Sequence, residues 1–388
     1  MNIGIATFHR ADNYGAVVQA HALQTFLSGE GHCVRIIDRR SVPPVSLARK
    51  WLGKTPPACL RKWERAFAAW RFQQFRDRRL HLTPERFLTP QELDGLTDRF
   101  DLLITGSDQV WNPQWIARGQ DLADFHFLAF GGTRPRRISY AASFGHTDLQ
   151  TLSPDDHRLL SDGLCRLDAI SVRESSGVAL VRALCGRDDA LRVCDPTLLL
   201  NPAHYHEMAG PKRSSPPHLF QFMLHGRAAD AVPAVRQIAA DRSWRVLRCD
   251  VMKTGLHHEY TLPSPEAWLG CLRDAGLVVT NSFHAVVFCL LFQTPFVAVL
   301  IDGEIGSMNG RIRDLLAMVR LEHRMIAPGA GLPPSVLMET IDWGGVATGL
   351  APARAEGVSF LRRQISLANE PSPASPSHGA PRGGPSAS

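Results

Sequence analysis

Val279-Thr280-Asn281-Ser282-Phe283-His284 joins one apolar run to another through polar side chains where a turn alone would suffice. Leu277 to Val279 has the unbroken apolar character of a buried strand, and Ala285 to Phe292 that of a helix apolar on every side. A strand ending beside a helix N-terminus presents unfilled backbone N–H groups and the positive end of the helix dipole. Such a junction attracts phosphate or carboxylate. Asn281 and Ser282 can add donors, and His284 can add charge or a proton. A Ser or Asn cap followed by an unrelated histidine gives the same letters, so both readings stand here.

Two more strand ends share the pattern. Ile3 to Thr7 reaches its helix through Phe8-His9-Arg10-Ala11-Asp12-Asn13-Tyr14-Gly15, and that helix carries the apolar stripe Ala16, Val17, Ala20, Leu23 and Leu27. Gly15 permits close approach of a ligand to the backbone, while Asp12 and Asn13 are natural caps. The GxGxxG dinucleotide fingerprint is absent there. Phe100 to Ile104 runs into the small polar turn Thr105-Gly106-Ser107-Asp108. Asp108 is a candidate base or hydroxyl-orienting group. Trp111 can stack on a sugar or pack inside, and packing is the favoured reading. Three strand ends of one kind fit one shared cleft.

The order of these blocks carries a resemblance. IGIATFHRADNYGAVVQAHALQ, DLLITGSDQVWNP, RRISYAASFG, AISVRESSG, VCDPTLLL, TNSFHAVVFCLLFQTPFVAV and GRIRDLLAMVRLEHR together resemble the polysaccharide pyruvyl transferase family from Asn2 to about Arg324. The resemblance implies an α/β fold of two facing Rossmann-like domains with parallel sheets, of glycosyltransferase-B type, with an interdomain active-site cleft. It implies transfer of the enolpyruvyl carbons of phosphoenolpyruvate onto sugar hydroxyls in a polysaccharide, glycolipid or nucleotide-linked precursor. Matching the motifs carries over His284, Arg173, the Asp12-Asn13 turn and the Ser107-Asp108 turn. Ala285 stands where family blocks often have glycine, which narrows the anion site slightly.

Phosphoenolpyruvate carries a carboxylate and a phosphate, so its site needs cations and backbone donors. Arg173, His284, Arg311 and two helix N-termini can supply them. The catalytic candidates are His284, Asp12 and Asp108. The substrate-binding candidates are Arg173, Asn13, Gly15, Gly106, Ser107, Asn281, Ser282 and Arg311. No metal and no cofactor beyond the phosphoenolpyruvate co-substrate are expected. A nucleotide-sugar glycosyltransferase, or a non-catalytic sugar-binding relative, is the alternative.

The surrounding elements must hold these groups. Strands are expected at Ile3–Ala6, Cys33–Ile37, Leu102–Thr105, Ile138–Ala142, Ala169–Val172 and Val193–Asp195 in a first domain over residues 1–210. Pro211 to Pro217 reads as a linker to a second domain over 218–350, with strands at Leu219–Leu224, Val246–Leu247, Leu277–Thr280 and Phe296–Val299. Strands alternating with helices imply parallel sheets. A closing helix is expected over 351–368, and residues 369–388, with no apolar side chain larger than Ala, are expected to be disordered.

The net charge of +6 is local. Arg39 to Arg86 holds 13 Lys or Arg against Glu64, Asp77 and Glu85, interleaved with Trp51, Trp63, Phe67, Trp70, Phe72 and Phe75. No recognition motif accompanies this charge, so nucleic acid is not an expected partner. A basic helical insertion at about 45–86 that meets an anionic acceptor at a membrane surface is the working expectation; a helical hairpin packed by its aromatics is the alternative. The 8 cysteines lack CxxC spacing and read as buried free thiols. His257-His258 lacks matching ligands for a metal. No run of ~20 apolar residues and no signal peptide is seen, so the expected location is cytoplasmic, with peripheral contact at the inner face of the membrane.

Overall fold

The computed structural model describes residues 1–40, 56–87, 91–116, 120–130, 132, 135–145, 147–212, 217–224, 233–250, 262–301, 309–327 and 339–370. His257-His258, most of the Pro211–Pro217 stretch and residues 371–388 lie outside this set. The strands are β1 (Asn2–Ala6), β2 (Cys33–Ile36), β3 (Leu102–Asp108), β4 (Arg136–Ala142), β5 (Ser171–Val172), β6 (Leu191–Arg192), β7 (His218–Met223), β8 (Arg245–Asp250), β9 (Ala275–Thr280), β10 (Phe296–Val299) and β11 (Met325–Ile326). The helices are α1 (Tyr14–Gly29), α2 (Pro56–Arg79), α3 (Pro113–Ile116), α4 (Gln120–His126), α5 (Pro154–Cys165) and α6 (Ser175–Cys185). They continue with α7 (Pro202–Met208), α8 (Pro233–Asp241), α9 (Pro265–Arg273), α10 (Phe283–Phe292), α11 (Asn309–Met318) and α12 (Trp343–Asn369).

Among the described residues all pairings are parallel, in a six-stranded sheet of order β2-β1-β3-β4-β5-β6 and a five-stranded sheet of order β11-β10-β9-β7-β8. Strands covered on both faces must be apolar throughout, which is why β1, β3 and β9 read as near-continuous apolar runs. The strand order reverses beside β1 in the first sheet and beside β7 in the second. In open α/β sheets that reversal opens the crevice where ligands bind. The layout is of the glycosyltransferase-B type.

One apolar core runs between the sheets. Tyr14 stacks on Trp268 with ring centroids 5.1 Å apart, and its hydroxyl donates to the Pro263 carbonyl at 2.9 Å. Trp111 is fully buried against Phe127 and Phe144, so the packing reading holds. Cys33 and Cys165 depart from the expected burial: both are exposed, while Cys194, Cys249, Cys271 and Cys289 are buried.

Several boundaries depart from expectation for identifiable reasons. β3 does not stop at Thr105. It continues through Gly106, whose φ of 134° and 2.2 Å clearance between a built Cβ and the Tyr140 carbonyl oxygen require glycine. The strand expected at Val193–Asp195 is observed as Leu191–Arg192, because Asp195 turns to cap the short Pro196–Leu198 helix and Pro196 has no N–H for a ladder. Ala169 forms only an isolated bridge to Ile138, leaving β5 two residues long. The closing helix starts at Trp343, well before residue 351. Asp342 caps it, and the chain passes Pro352 without leaving the helix. Glycines at 344 and 345 and the internal proline hid its first turns. A proline inside a helix costs about 3 kcal/mol, and burial of Val346, Phe360, Leu361 and Ile365 offsets it. α12 returns to the first sheet, where Gln364 accepts from Arg136 at 2.8 Å and Gly357 packs against the Tyr140 hydroxyl.

Candidate active site

Asp195 is the centre of the strand-end cluster. Its side chain is fully buried. Oδ1 accepts from the Thr197 N–H at 3.0 Å and the Thr197 hydroxyl at 2.7 Å. Oδ2 accepts from the Ser107 hydroxyl at 3.2 Å and from Arg173 Nη1 at 2.8 Å. His284 Nε2 stands 3.3 Å from the same oxygen, within ion-pair distance but without an aligned hydrogen bond. Burial by itself would raise the Asp195 pKa, but His284, Arg173 and Thr197 outweigh it and hold the carboxyl well below the usual range. Asp195 is therefore ionised. Its charge fixes Arg173, which comes from the end of β5, and His284, which follows β9 in the other sheet.

His284 is wedged as well as paired. It sits on the first turn of α10, started by Ser282, whose hydroxyl accepts from the Ala285 N–H. Its ring lies against Gly15 on the first turn of α1, and a Cβ built there would fall 2.1 Å from Nδ1. The sequence suggested that Gly15 makes room for a ligand. The space is filled by the His284 imidazole, so the glycine lets two helix N-termini from different sheets meet.

Two arginines share the ring of Phe283. The guanidinium carbon of Arg173 is 4.7 Å from its centroid and that of Arg311 is 6.0 Å away. Both arginines are buried. Burial lowers Arg173, but Asp195, Asp108 and Glu174 more than restore it. Arg311 is the frustrated cation: burial, then the Arg173 charge, bring it down to about 10. Nε of Arg311 and both Nε and Nη2 of Arg173 are buried without a hydrogen-bond partner. Unmade hydrogen bonds at charged groups are costly in a folded protein, and an oxyanion relieves them. Glu174 stands beside them, its pKa raised first by burial, with Oε1 accepting from the Phe144 N–H at 2.8 Å.

A void of about 30 Å³ opens between Arg173, Asp195, Phe283 and Arg311. It holds roughly one water, so a larger anion must meet these N–H groups at its mouth. Larger cavities of about 830 Å³ under α12 and about 380 Å³ beside α5 include none of the residues singled out from the sequence. Size points to those cavities; unsatisfied buried donors point to the small one, and donors decide chemistry.

The remaining candidates separate by position. Asp108 ends β3 with φ of 74°, and its Oδ1 lies 3.9 Å from Arg173 Nη2 while accepting from the Gln109 N–H at 2.9 Å. Ser107 touches Asp195 directly. Asp12 instead pairs with Arg76 at 2.6 Å and is 44% exposed. Asn13 caps α1 through the Ala16 N–H at 3.2 Å. Asn281 accepts from the Leu224 N–H at 2.7 Å and ties the end of β7 to that of β9. The observed contacts of Asn13, Asn281 and Ser282 are within the protein. Asp195, Glu174 and Phe283 were not singled out from sequence. Asp195-Pro196-Thr197 shows the same signal as the other ends, an apolar run closing on a polar cap.

The fold has counterparts among solved structures. UDP-N-acetylglucosamine 2-epimerase from Rickettsia bellii matches with a TM-score of 0.52 at 8% identity, over 95% of this chain and 96% of its own. UDP-GlcNAc 2-epimerase from Methanocaldococcus jannaschii matches with a TM-score of 0.50 at 9% identity, over 94% of this chain and 100% of its own. These likenesses concern the fold alone. No curated protein matches in sequence. The model of the family described as polysaccharide pyruvyl transferase matches residues 13–303, a span that holds the whole Asp195 cluster except Arg311. That match covers 291 of 388 residues, and the chain therefore belongs to the polysaccharide pyruvyl transferase family and is a transferase.

Proposed function

We propose that this transferase moves the pyruvyl group of phosphoenolpyruvate onto paired hydroxyls of a sugar, forming a pyruvate ketal. The observation that carries the reading is the set of buried, unpartnered N–H groups on Arg173 and Arg311 beside the Asp195–His284 pair. They suit the phosphate and carboxylate of one small, highly charged donor. Nothing in the cluster reads as a hydride or electron site.

The chemistry assigns a role to each group. Arg173 and Arg311 bind donor oxyanions and stabilise the phosphate as it leaves with the C–O electron pair. In this reading His284, which lies against Asp195 and Gly15, delivers a proton to the methylene carbon, which becomes the methyl group. An acceptor hydroxyl then attacks the adjacent carbon and loses its proton, with Asp108 as the orienting or accepting carboxylate. After phosphate departs, the second hydroxyl adds to the same carbon, loses its proton to the His284 ring that gave one up earlier, and closes the ketal. Asp12, paired to Arg76, orders the loop rather than the reacting atoms in this scheme.

The acceptor is a sugar of a polysaccharide, glycolipid or nucleotide-linked precursor. α2 is the element suited to an anionic carrier or membrane surface. Trp63, Phe67 and Trp70 are each more than half exposed on it, opposite the buried Phe72 and Phe75. No described helix is long and apolar enough to cross a membrane.

Product analysis separates donors. Incubation with acceptor should release phosphate from phosphoenolpyruvate; release of nucleoside diphosphate from a nucleotide sugar would favour glycosyl transfer instead. Since arginines can neutralise the donor, turnover is expected to survive EDTA. Turnover lost in EDTA and restored by magnesium would overturn that part of the scheme. Gly15→Ala pushes a methyl group into the His284 ring. A displacement near 1 Å can cost about 100-fold, so donor kcat/KM should fall by roughly 10–100-fold. Unchanged efficiency in that variant would remove His284 from the mechanism.

A further inference from the structure

Asp38 is a buried carboxylate outside that cluster, and three arginines converge on it. Arg10 grips both oxygens, Nε on Oδ1 at 2.7 Å and Nη2 on Oδ2. Nε of Arg40 and Nε of Arg86 lie 4.0 Å and 3.9 Å from the same Oδ2. His9 Nε2 lies 3.4 Å from Oδ1. Burial would raise Asp38, but the hydrogen bonds from His9 and Arg10 and the Arg10 charge bring it down to about 2. One negative charge therefore answers three guanidiniums, and Arg10 already uses both of its oxygens. Arg40 and Arg86 hold the surplus. Arg40 Nε is buried with no hydrogen-bond partner.

Repelling surface arginines ordinarily swing apart into water. Here the backbone keeps them together. Arg40 N–H donates to the Phe87 carbonyl at 2.7 Å, and Phe87 N–H donates to the Asp38 carbonyl at 3.0 Å. Arg39 and Phe87 form a parallel bridge, so segments 38–40 and 86–87 lie side by side. The cluster sits where β1 and β2 end, on the edge of the sheet that also carries Asp108 and Arg173. β2 is four strand positions from β5, on the order of 20 Å at about 4.8 Å per strand. The loop from Phe8 to Asn13 spans from the cluster towards Gly15 and His284. Arg76 of α2 fixes it by donating to the carbonyls of His9, Arg10 and Ala11 and to Asp12.

We propose that Arg40 and Arg86, braced by the Arg10–Asp38 pair, form a cradle for the diphosphate group that carries the sugar acceptor. Two surplus positive charges match the two negative charges of an esterified diphosphate. The separation from Arg173 leaves room for the saccharide between that diphosphate and the reacting hydroxyls. Assignment of the ligand to the acceptor rests on the pyruvyl-transfer reading; the anion site itself does not.

The test is calorimetric titration of the full chain with inorganic pyrophosphate, joined to steady-state kinetics. Arg40→Gln/Arg86→Gln should weaken pyrophosphate by roughly 10–100-fold, the scale of lost charge-assisted hydrogen bonds. Arg40→Lys/Arg86→Lys should recover part of it, because lysine restores both charges without the guanidinium geometry. In kinetics, KM for a diphosphate-linked acceptor should rise by a similar factor, while KM for phosphoenolpyruvate and the melting temperature stay at wild-type values. Wild-type pyrophosphate affinity in the Gln pair overturns the cradle. A rise in phosphoenolpyruvate KM without one for the acceptor also overturns it, since the arginines would then serve the donor. If wild-type enzyme leaves phosphoenolpyruvate untouched, the donor reading fails, and the pyrophosphate titration still decides the cradle.

Discussion

Arg173→Ala and His284→Ala are each expected to lower kcat/KM for phosphoenolpyruvate by roughly 10–100-fold, the scale of one charge-assisted hydrogen bond of about 1.5–3 kcal/mol. The two side chains come from different sheets and meet at Asp195, at 2.8 Å and 3.3 Å. They are not independent. The double variant should lose less than the product of the single losses, because either substitution already spoils the site the other serves. Steady-state kinetics of the four proteins, each with its melting temperature, settles the matter. Variants that melt early yet retain wild-type donor efficiency would assign both residues to packing alone.

The second large effect concerns Asp195 itself. Asp195→Ala leaves Arg173 buried without its closest counter-charge, removes the acceptor for Ser107 and Thr197, and takes away the carboxylate that His284 faces. Breaking a buried pair from one side costs about 3–5 kcal/mol, which denaturant unfolding can measure. The pH dependence has a definite sign. The folded-state pKa of Asp195 is depressed, so its contribution is fully present above the ordinary carboxylate value of about 3.9 and is lost as pH falls below it. The stability gap between wild type and Asp195→Asn should therefore be constant near neutrality and narrow in acid below that value. A gap that widens in acid would mean that Asp195 is protonated in the folded protein.

The strand ends were legible from sequence because a parallel buried strand must be apolar and must then stop at something polar. Asn281-Ser282, Asp12-Asn13 and Ser107-Asp108 are visible by that contrast. What the contrast does not reveal is which polar group turns inward. Ser282 and Asn13 cap their helices and Asn281 splices two strand ends, while Ser107, with the same kind of neighbours, reaches Asp195. Direction depends on the left-handed backbone at Asp108 and on Gly106, which only the sheet context imposes. Asp195 escaped notice since Val193–Asp195 read as strand, and a residue before proline is itself biased to the extended region. The partnership of Gly15 with His284 lies beyond any local pattern: it joins residues 269 positions apart (15 to 284) across two sheets. α12 was read too short because glycines and Pro352 oppose helix locally, whereas its packing against the first sheet favours it.

The most direct test uses phosphoenolpyruvate as sole donor with a panel of nucleotide- and lipid-linked sugars and follows the mass of each acceptor. One acceptor is expected to gain the pyruvate ketal, with one phosphate released per ketal formed, and Arg173→Ala to slow this gain at an unchanged final mass. An acceptor that gains a sugar from a nucleotide donor, with phosphoenolpyruvate left intact, would contradict it.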